Sequence, residues 1–249
     1  MQKNLRPLTY TALMTAFVFV TTSIVKIPIP FTNGYIHAGD MSIFIGAILL
    51  GPLYGAFLGG VGSALADFLG GYAQWILPTL IIKAIMGYIA GYFATRKIKG
   101  NLFAALILSA WAIVLIGIFQ FTSNIDPKSL INVVEGISTE GDAIELITSF
   151  HRQILSVGLI VPIFSILMKF IGSKVGLKFV EILGMLFAGI WMCAGYYIAS
   201  GLMYGSYVSA MFSIPWNVAQ FIGGSLLAFV ILNALKPTGL REHIRDILK

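Results

Sequence analysis

Charge is what this sequence lacks most. Only 10% of its 249 residues are Asp, Glu, Lys or Arg. A soluble globular domain carries about 25%, so a water-facing surface of ordinary character cannot be built from this chain. Cysteine is almost absent: Cys193 stands alone in an apolar run. That excludes a disulfide framework and reads as a small packing residue. No G-x-x-x-x-G-K-[ST] phosphate loop is present, no H-E-x-x-H and no G-x-S-x-G nucleophile elbow. The chain has no visible means of hydrolysing ATP, so concentrating a solute would draw its energy from a gradient or a partner. His37 and Asp40 have no further ligand nearby in sequence, so no metal site is read and no cofactor is implied.

What the chain has instead is hydrophobic length. Apolar residues make up 58% of it, in eight segments near residues 8–26, 39–51, 53–70, 78–95, 101–121, 152–170, 180–201 and 213–235. Most approach the 20 residues that cross a hydrocarbon core of about 30 Å. The second is short and meets the third at Gly51-Pro52, a tight turn or a break within the membrane. Strand alternation is absent, so the segments are predicted helices of a polytopic bundle. The first, after Lys3 and Arg6, has no small-residue cleavage pattern and reads as a retained helix.

The basic residues orient the bundle. With the N-terminus inside, twelve of the sixteen fall inside: Lys3, Arg6, Arg96, Lys97, Lys99, Lys169, Lys174, Lys178, Lys236, Arg241, Arg245 and Lys249. Lys26, Lys83, Lys128 and Arg152 remain. The acidic stretch 122–150 falls outside as a loop. The net charge of +6 thus reflects cytoplasmic loops and gives no reason to expect nucleic acid. Both termini are expected in the cytoplasm, in a multi-pass protein of the cell membrane.

Polar residues then mark the candidate site. The loop TNGYIHAGDM (32–41) carries Asn33, Tyr35, His37 and Asp40 at the outer face. Asp67 and Lys83 are ionisable groups inside predicted spans, expensive there and functional candidates by default. They could pair with each other, or line an outward cavity. Asp67 ends the small-residue row Gly51, Gly55, Gly59, Ser63, which permits close helix approach. Gln74 and Trp75 lie in the next outward loop. Asn217 and Gln220 share one face of the last segment. Tyr35, Tyr72 and Trp75 add ring faces that suit a flat heteroaromatic ligand. Ala12 and Ala16 form a small-xxx-small face, fit for packing in the chain or for a second helix. Three functional classes remain open: a binding subunit, a polytopic membrane enzyme, or an ion-coupled carrier, the last two using Asp67 or Lys83.

The run 27–92, with H-x-G-D, L-L-G-P, G-S-A-L-A-D and T-L-I-I-K in order, and the stretch 194–220, with P-x-N-x-x-Q, carry a resemblance. They resemble the substrate-binding S components of energy-coupling factor (ECF) vitamin transporters, over about 60% of the chain. The resemblance implies a helical membrane subunit that captures a vitamin or precursor outside, without catalysis. A transmembrane coupling protein and two ATPases would drive uptake. Hydroxymethylpyrimidine, pyridoxine-like compounds and riboflavin are the ligand types implied. It makes Asn33, Tyr35, His37, Asp40, Asp67, Gln74, Trp75, Lys83, Asn217 and Gln220 the substrate-binding candidates. Ala12 and Ala16 become the face for the coupling protein. The family has six helices. Here residues 100–178 would be an inserted helix pair within a single membrane domain, with 1–99 and 179–249 forming the six-helix core and about eight spans in all.

Overall fold

The computed structural model describes residues 5–29, 34–131, 133–175 and 177–248. Helices α1 (Leu5–Ile24), α2 (Gly39–Leu50), α3 (Pro52–Gly70), α4 (Ile76–Thr95), α5 (Gly100–Ser123), α6 (Glu140–Val175), α7 (Phe179–Tyr204) and α9 (Ile214–Leu235) account for the eight hydrophobic segments. Among the described residues seven spans are long and apolar enough to cross a membrane, and α2 is a shorter apolar helix. The all-helical polytopic expectation holds. Among the described residues there are also two short α-helices, α8 (Tyr207–Met211) and α10 (Leu240–Leu248).

α2 is the centre of the bundle. All twelve of its residues are buried, packed among α1, α3, α4 and α9. Twelve residues rise only about 18 Å, well short of a hydrocarbon core of about 30 Å. α2 therefore starts part-way through the bundle. Gly51, with φ +90, ends it, and Pro52 opens α3 at once. Proline fits there because a first-turn N–H has no helical partner to lose.

The small-residue row works as its spacing suggests. A Cβ on Gly87 of α4 would lie 2.0 Å from the Gly55 carbonyl oxygen of α3, and one on Gly59 would lie 2.7 Å from the Lys83 carbonyl. α3 and α4 thus touch backbone to backbone, which holds Lys83 against the core rather than letting its side chain reach a surface.

Above α2 the chain forms an element that hydropathy did not reveal. Strands β1 (Ile27–Ile29) and β2 (Gly34–Ile36) pair antiparallel, Ile27 opposite Ile36. Two strands of three residues satisfy each other's backbone where a bare loop would leave it open. This defines the hairpin end of the bundle. The start of α1 and the packed α10 lie at the other, terminal end. There Arg241 pairs with Glu181 in the first turn of α7, and Ile244 is buried.

α5 and α6 stand at the side, against α7 and α9. The acidic stretch is shorter than expected as a loop, because α6 begins at Glu140. The cause is a local cap: Asp142 Oδ2 accepts from the Thr139 N–H at 2.8 Å, while Thr139 Oγ1 accepts from the Asp142 N–H at 3.1 Å. This is the reciprocal logic of a capping box. The connection leans on the bundle through Ser209 Oγ, which donates to the Val133 carbonyl at 3.2 Å. Phe150 also meets Phe212 edge-on at 4.8 Å.

Gly87→Val should lower the melting temperature in detergent sharply, since overpacking costs about 1–3 kcal/mol or more where backbone cannot retreat. Gly223→Ala, with open space at its Cβ, should melt as the parent does or higher. Equal melting of both variants would refute the backbone contact.

Candidate functional site

A cavity of about 500 Å³, counting its mouth, lies between the hairpin and the top of α2. Its floor is ionic. Lys83 Nζ and Asp40 Oδ1 form a hydrogen-bonded ion pair with both side chains fully buried. Asp40 sits in the first turn of α2, where the positive helix end favours a carboxylate. Gln220 Nε2 donates to Asp40 Oδ2 at 2.9 Å, and its Oε1 accepts the His37 backbone N–H at 3.0 Å. Met192 Sδ of α7 lies 2.9 Å from Lys83 Nζ. One network therefore joins α2, α4, α7, α9 and the hairpin. An Asp67–Lys83 pair is not what forms: Lys83 lies seven residues into α4, deep enough to meet Asp40 instead.

Asp67 serves the wall. Tyr35 of β2 donates its hydroxyl to Asp67 Oδ1 at 2.7 Å. The Tyr35 ring packs on Tyr72 at 4.6 Å and on His37 at 5.5 Å. Lys26 Nζ stands 4.7 Å over Tyr35 and 5.0 Å over Tyr72, close enough for cation–π attraction. Burial, and next the Asp67 charge, push the Tyr35 hydroxyl well above its ordinary pKa, so it stays a donor. Burial first and the Lys83 charge second push His37 down to about 3. Its ring is neutral, and Nδ1 accepts the Gly39 N–H at 3.0 Å. Gly39 is required there, since a Cβ would fall 2.1 Å from Thr22 Oγ1.

The opposite wall is aromatic and polar. Trp75 meets Tyr196 edge-on at 5.6 Å, and the Tyr196 hydroxyl donates to Thr79 Oγ1 at 3.2 Å. Asn217 lines the cavity with Gln220, as their shared face suggests. Three buried polar atoms at the wall have no hydrogen-bond partner among the described residues: Thr22 Oγ1, Asp67 Oδ2 and Trp75 Nε1. A donor, a donor-acceptor and an anionic acceptor left unpaired in one pocket is costly, and a ligand with complementary groups would repay that.

Most candidates converge. Tyr35, His37, Asp67, Trp75, Asn217 and Gln220 line the cavity, and Asp40 and Lys83 lie beneath it. Gln74 does not join them; it is exposed on the short turn Ala73–Trp75, outside the lining. Asn33 lies outside the described residues. Thr22, Thr79, Tyr196, Ser200 and Ser213 also line the wall and were missed. Helical spacing could have found some of them: Thr79 precedes Lys83 by four, Tyr196 precedes Ser200 by four, and Ser213 precedes Asn217 by four. Ala12 and Ala16 are exposed on α1, away from the bundle.

A multi-pass helical bundle with a partly open cavity of mixed polar and aromatic lining under a hairpin has the form of a solute-binding membrane protein. The sequence matches the family of the ECF-type riboflavin transporter S component over residues 2–169, and the chain belongs to that family. It is a family of transporter components. α7 and α9, with Tyr196, Asn217 and Gln220, lie beyond the matched residues. Among curated relatives, an uncharacterised protein of Pyrococcus woesei is 54% identical over 77 residues, 31% of this chain and 51% of the relative. The thiamine precursor transporter HmpT of Lactococcus lactis subsp. cremoris (strain MG1363) is 34% identical over 90 residues, 36% of this chain and 54% of the relative. The chain thus spans about half the length of the curated relatives it matches. No solved structure matches it.

Lys83→Met should destabilise the protein by about 3–5 kcal/mol, because it strands a buried carboxylate. Adding Asp40→Asn should recover much of the loss; a single variant that melts like the parent would refute the buried pair. In an NMR titration the His37 ring should show no inflection near pH 6.5, because a pKa of about 3 keeps it neutral above that value. A midpoint near 6.5 would place the ring in water.

Proposed function

We propose that the protein is the substrate-binding subunit of an ECF-type importer, taking a single-ring heterocyclic vitamin precursor from outside the cell. The observation that carries this is the set of unpaired Thr22, Asp67 and Trp75 atoms facing one small cavity. Asp67 Oδ2 would accept from a ring amino or hydroxyl group. Trp75 Nε1 would donate to a ring nitrogen or oxygen. Tyr196 and Tyr35 would cover the ring faces. The similarity to a thiamine precursor transporter supports the single-ring reading. The matching family is named for riboflavin transport, so a three-ring flavin is the alternative ligand.

The hairpin end faces outward in this reading, consistent with the basic residues gathered at the terminal end. Binding involves no bond chemistry. The energy comes from two ATPases through a transmembrane coupling protein, which docks on the open face of α1 at Ala12 and Ala16. Leu13, 62% exposed beside them, would be covered in that complex. Residues 100–178 are an insertion between the fourth and fifth helices of a six-helix core, and the whole chain is one membrane domain.

Native mass spectrometry of protein purified from rich medium, followed by release and identification of the bound molecule, tests the reading. A stoichiometric single-ring heterocycle is expected; a bound flavin would overturn the single-ring choice, and an empty protein that binds no vitamin by calorimetry would overturn the binding-subunit reading. Asp67→Asn should weaken binding about 10- to 100-fold, the worth of a hydrogen bond to a charged group, with little change in melting temperature. Asn217→Ala should act in the same direction. Ala12→Trp should leave affinity intact while abolishing uptake in cells that carry the other subunits. Unfolding instead would make the alanine face internal packing.

A further inference from the structure

A second cleft opens at the hairpin end, between α6 and α9, and shares no lining residue with the central cavity. Ser149, Arg152, Gln153 and Ser156 line it from α6, and Trp216 and Ala219 from α9. The four α6 residues stand at i, i+3, i+4 and i+7, so they form one polar stripe on a single helix face. Below that stripe α6 is apolar: residues 153–168 contain no charge, and Lys169 ends the run. Arg152 and Lys169 are 17 residues apart, about 26 Å along a helix. They bracket a hydrocarbon core of about 30 Å, which puts Arg152 at the depth of the headgroups. Trp216, half-buried in the first turn of α9, sits at the same rim, where indoles favour the interface.

Three of the four polar side chains there are uncommitted, while the Ser156 hydroxyl donates to the Arg152 carbonyl at 2.9 Å. Among the described residues the side chains of Arg152, Ser149 and Gln153 make no hydrogen bond, and Arg152 has no carboxylate partner; the ion pairs are Lys83–Asp40, Lys128–Glu140 and Arg241–Glu181. A free guanidinium, the free Ser149 hydroxyl and the Gln153 amide, at headgroup depth, form a site for a phosphate ester. The apolar surface of α6 beneath it, with Leu159, Ile160 and Ile163 exposed, continues as a track for acyl chains.

We infer that the α6–α9 cleft binds one anionic phospholipid of the leaflet at the hairpin end, its phosphate on Arg152 and its chains along α6. This is independent of which solute the central cavity takes.

The test uses the full chain in detergent, stripped of co-purified lipid. It is titrated with dioleoyl-phosphatidylglycerol or dioleoyl-phosphatidylcholine and read by native mass spectrometry. One phosphatidylglycerol should be retained at least about fivefold more tightly than phosphatidylcholine, the worth of one well-placed cation at an anionic surface. Arg152→Gln should erase that preference, and Arg152→Lys should keep part of it. Arg152 is exposed, so both variants should melt like the parent. Ala219→Trp, which fills the cleft from the other helix, should lower retention of either lipid. Unchanged lipid preference in Arg152→Gln would overturn the inference. So would displacement of the lipid by millimolar inorganic phosphate, which would assign the cleft to a free anion, or dimerisation blocked by Ala219→Trp, which would assign it to a second copy.

Discussion

An ammonium and a carboxylate locked together out of reach of water set the terms for the rest of this molecule. Burying an ion costs several kcal/mol even after relaxation, so the Lys83–Asp40 pair persists only because five helices hold it in place. Gln220 supplies a second donor to Asp40, Met192 fills the remaining side of Lys83, and the backbone contact of Gly59 presses α3 against the same spot. Gly224 of α9 lets Asp40 approach, since a Cβ there would lie 2.8 Å from the Asp40 Cβ. Shifting any of these helices would expose or unpair a charge. The floor of the cavity is therefore held from several sides at once.

The division of labour in the site follows. Groups beneath the cavity are satisfied by each other, and groups around its wall are left partly open. Asp40 has both oxygens engaged, while Asp67 spends one on Tyr35 and keeps one free. Two carboxylates of identical chemistry thus have different tasks, and depth separates them. A ligand would meet a neutral imidazole, a protonated phenol, an amide, hydroxyls and one carboxylate oxygen, a set suited to reading donors and acceptors around a ring.

Hydropathy and basic-residue bias carry most of the architecture, because a bilayer leaves a backbone few solutions. The eight helices, the small-residue seam of α3 and the inward face of Asn217 and Gln220 all follow from spacing. Vertical placement does not. That α2 is short is visible in its residues. That it starts part-way down, bringing Asp40 rather than Asp67 to Lys83, depends on how the hairpin folds over it. The hairpin itself was illegible, since three-residue strands, one holding Pro28, are too short for an alternating pattern. Gln74 follows from the outward loop and the resemblance, but the turn leaves it exposed outside the cavity lining. The start of α6 was legible in principle from the Thr139 and Asp142 spacing, a signal masked by the acidic character of the stretch.

The hairpin carries its own backbone hydrogen bonds with it, so it can lift as one body without melting. What tethers its described part is local: the buried Ile29, the Tyr35 hydroxyl on Asp67 and ring on Tyr72, the His37 amide on Gln220, and the cation–π contacts of Lys26. Lifting it would break these together, so the closed form is the resting one. Entry to the cavity becomes a question of how often the hairpin is up, and a bound solute would slow its own departure by keeping it down.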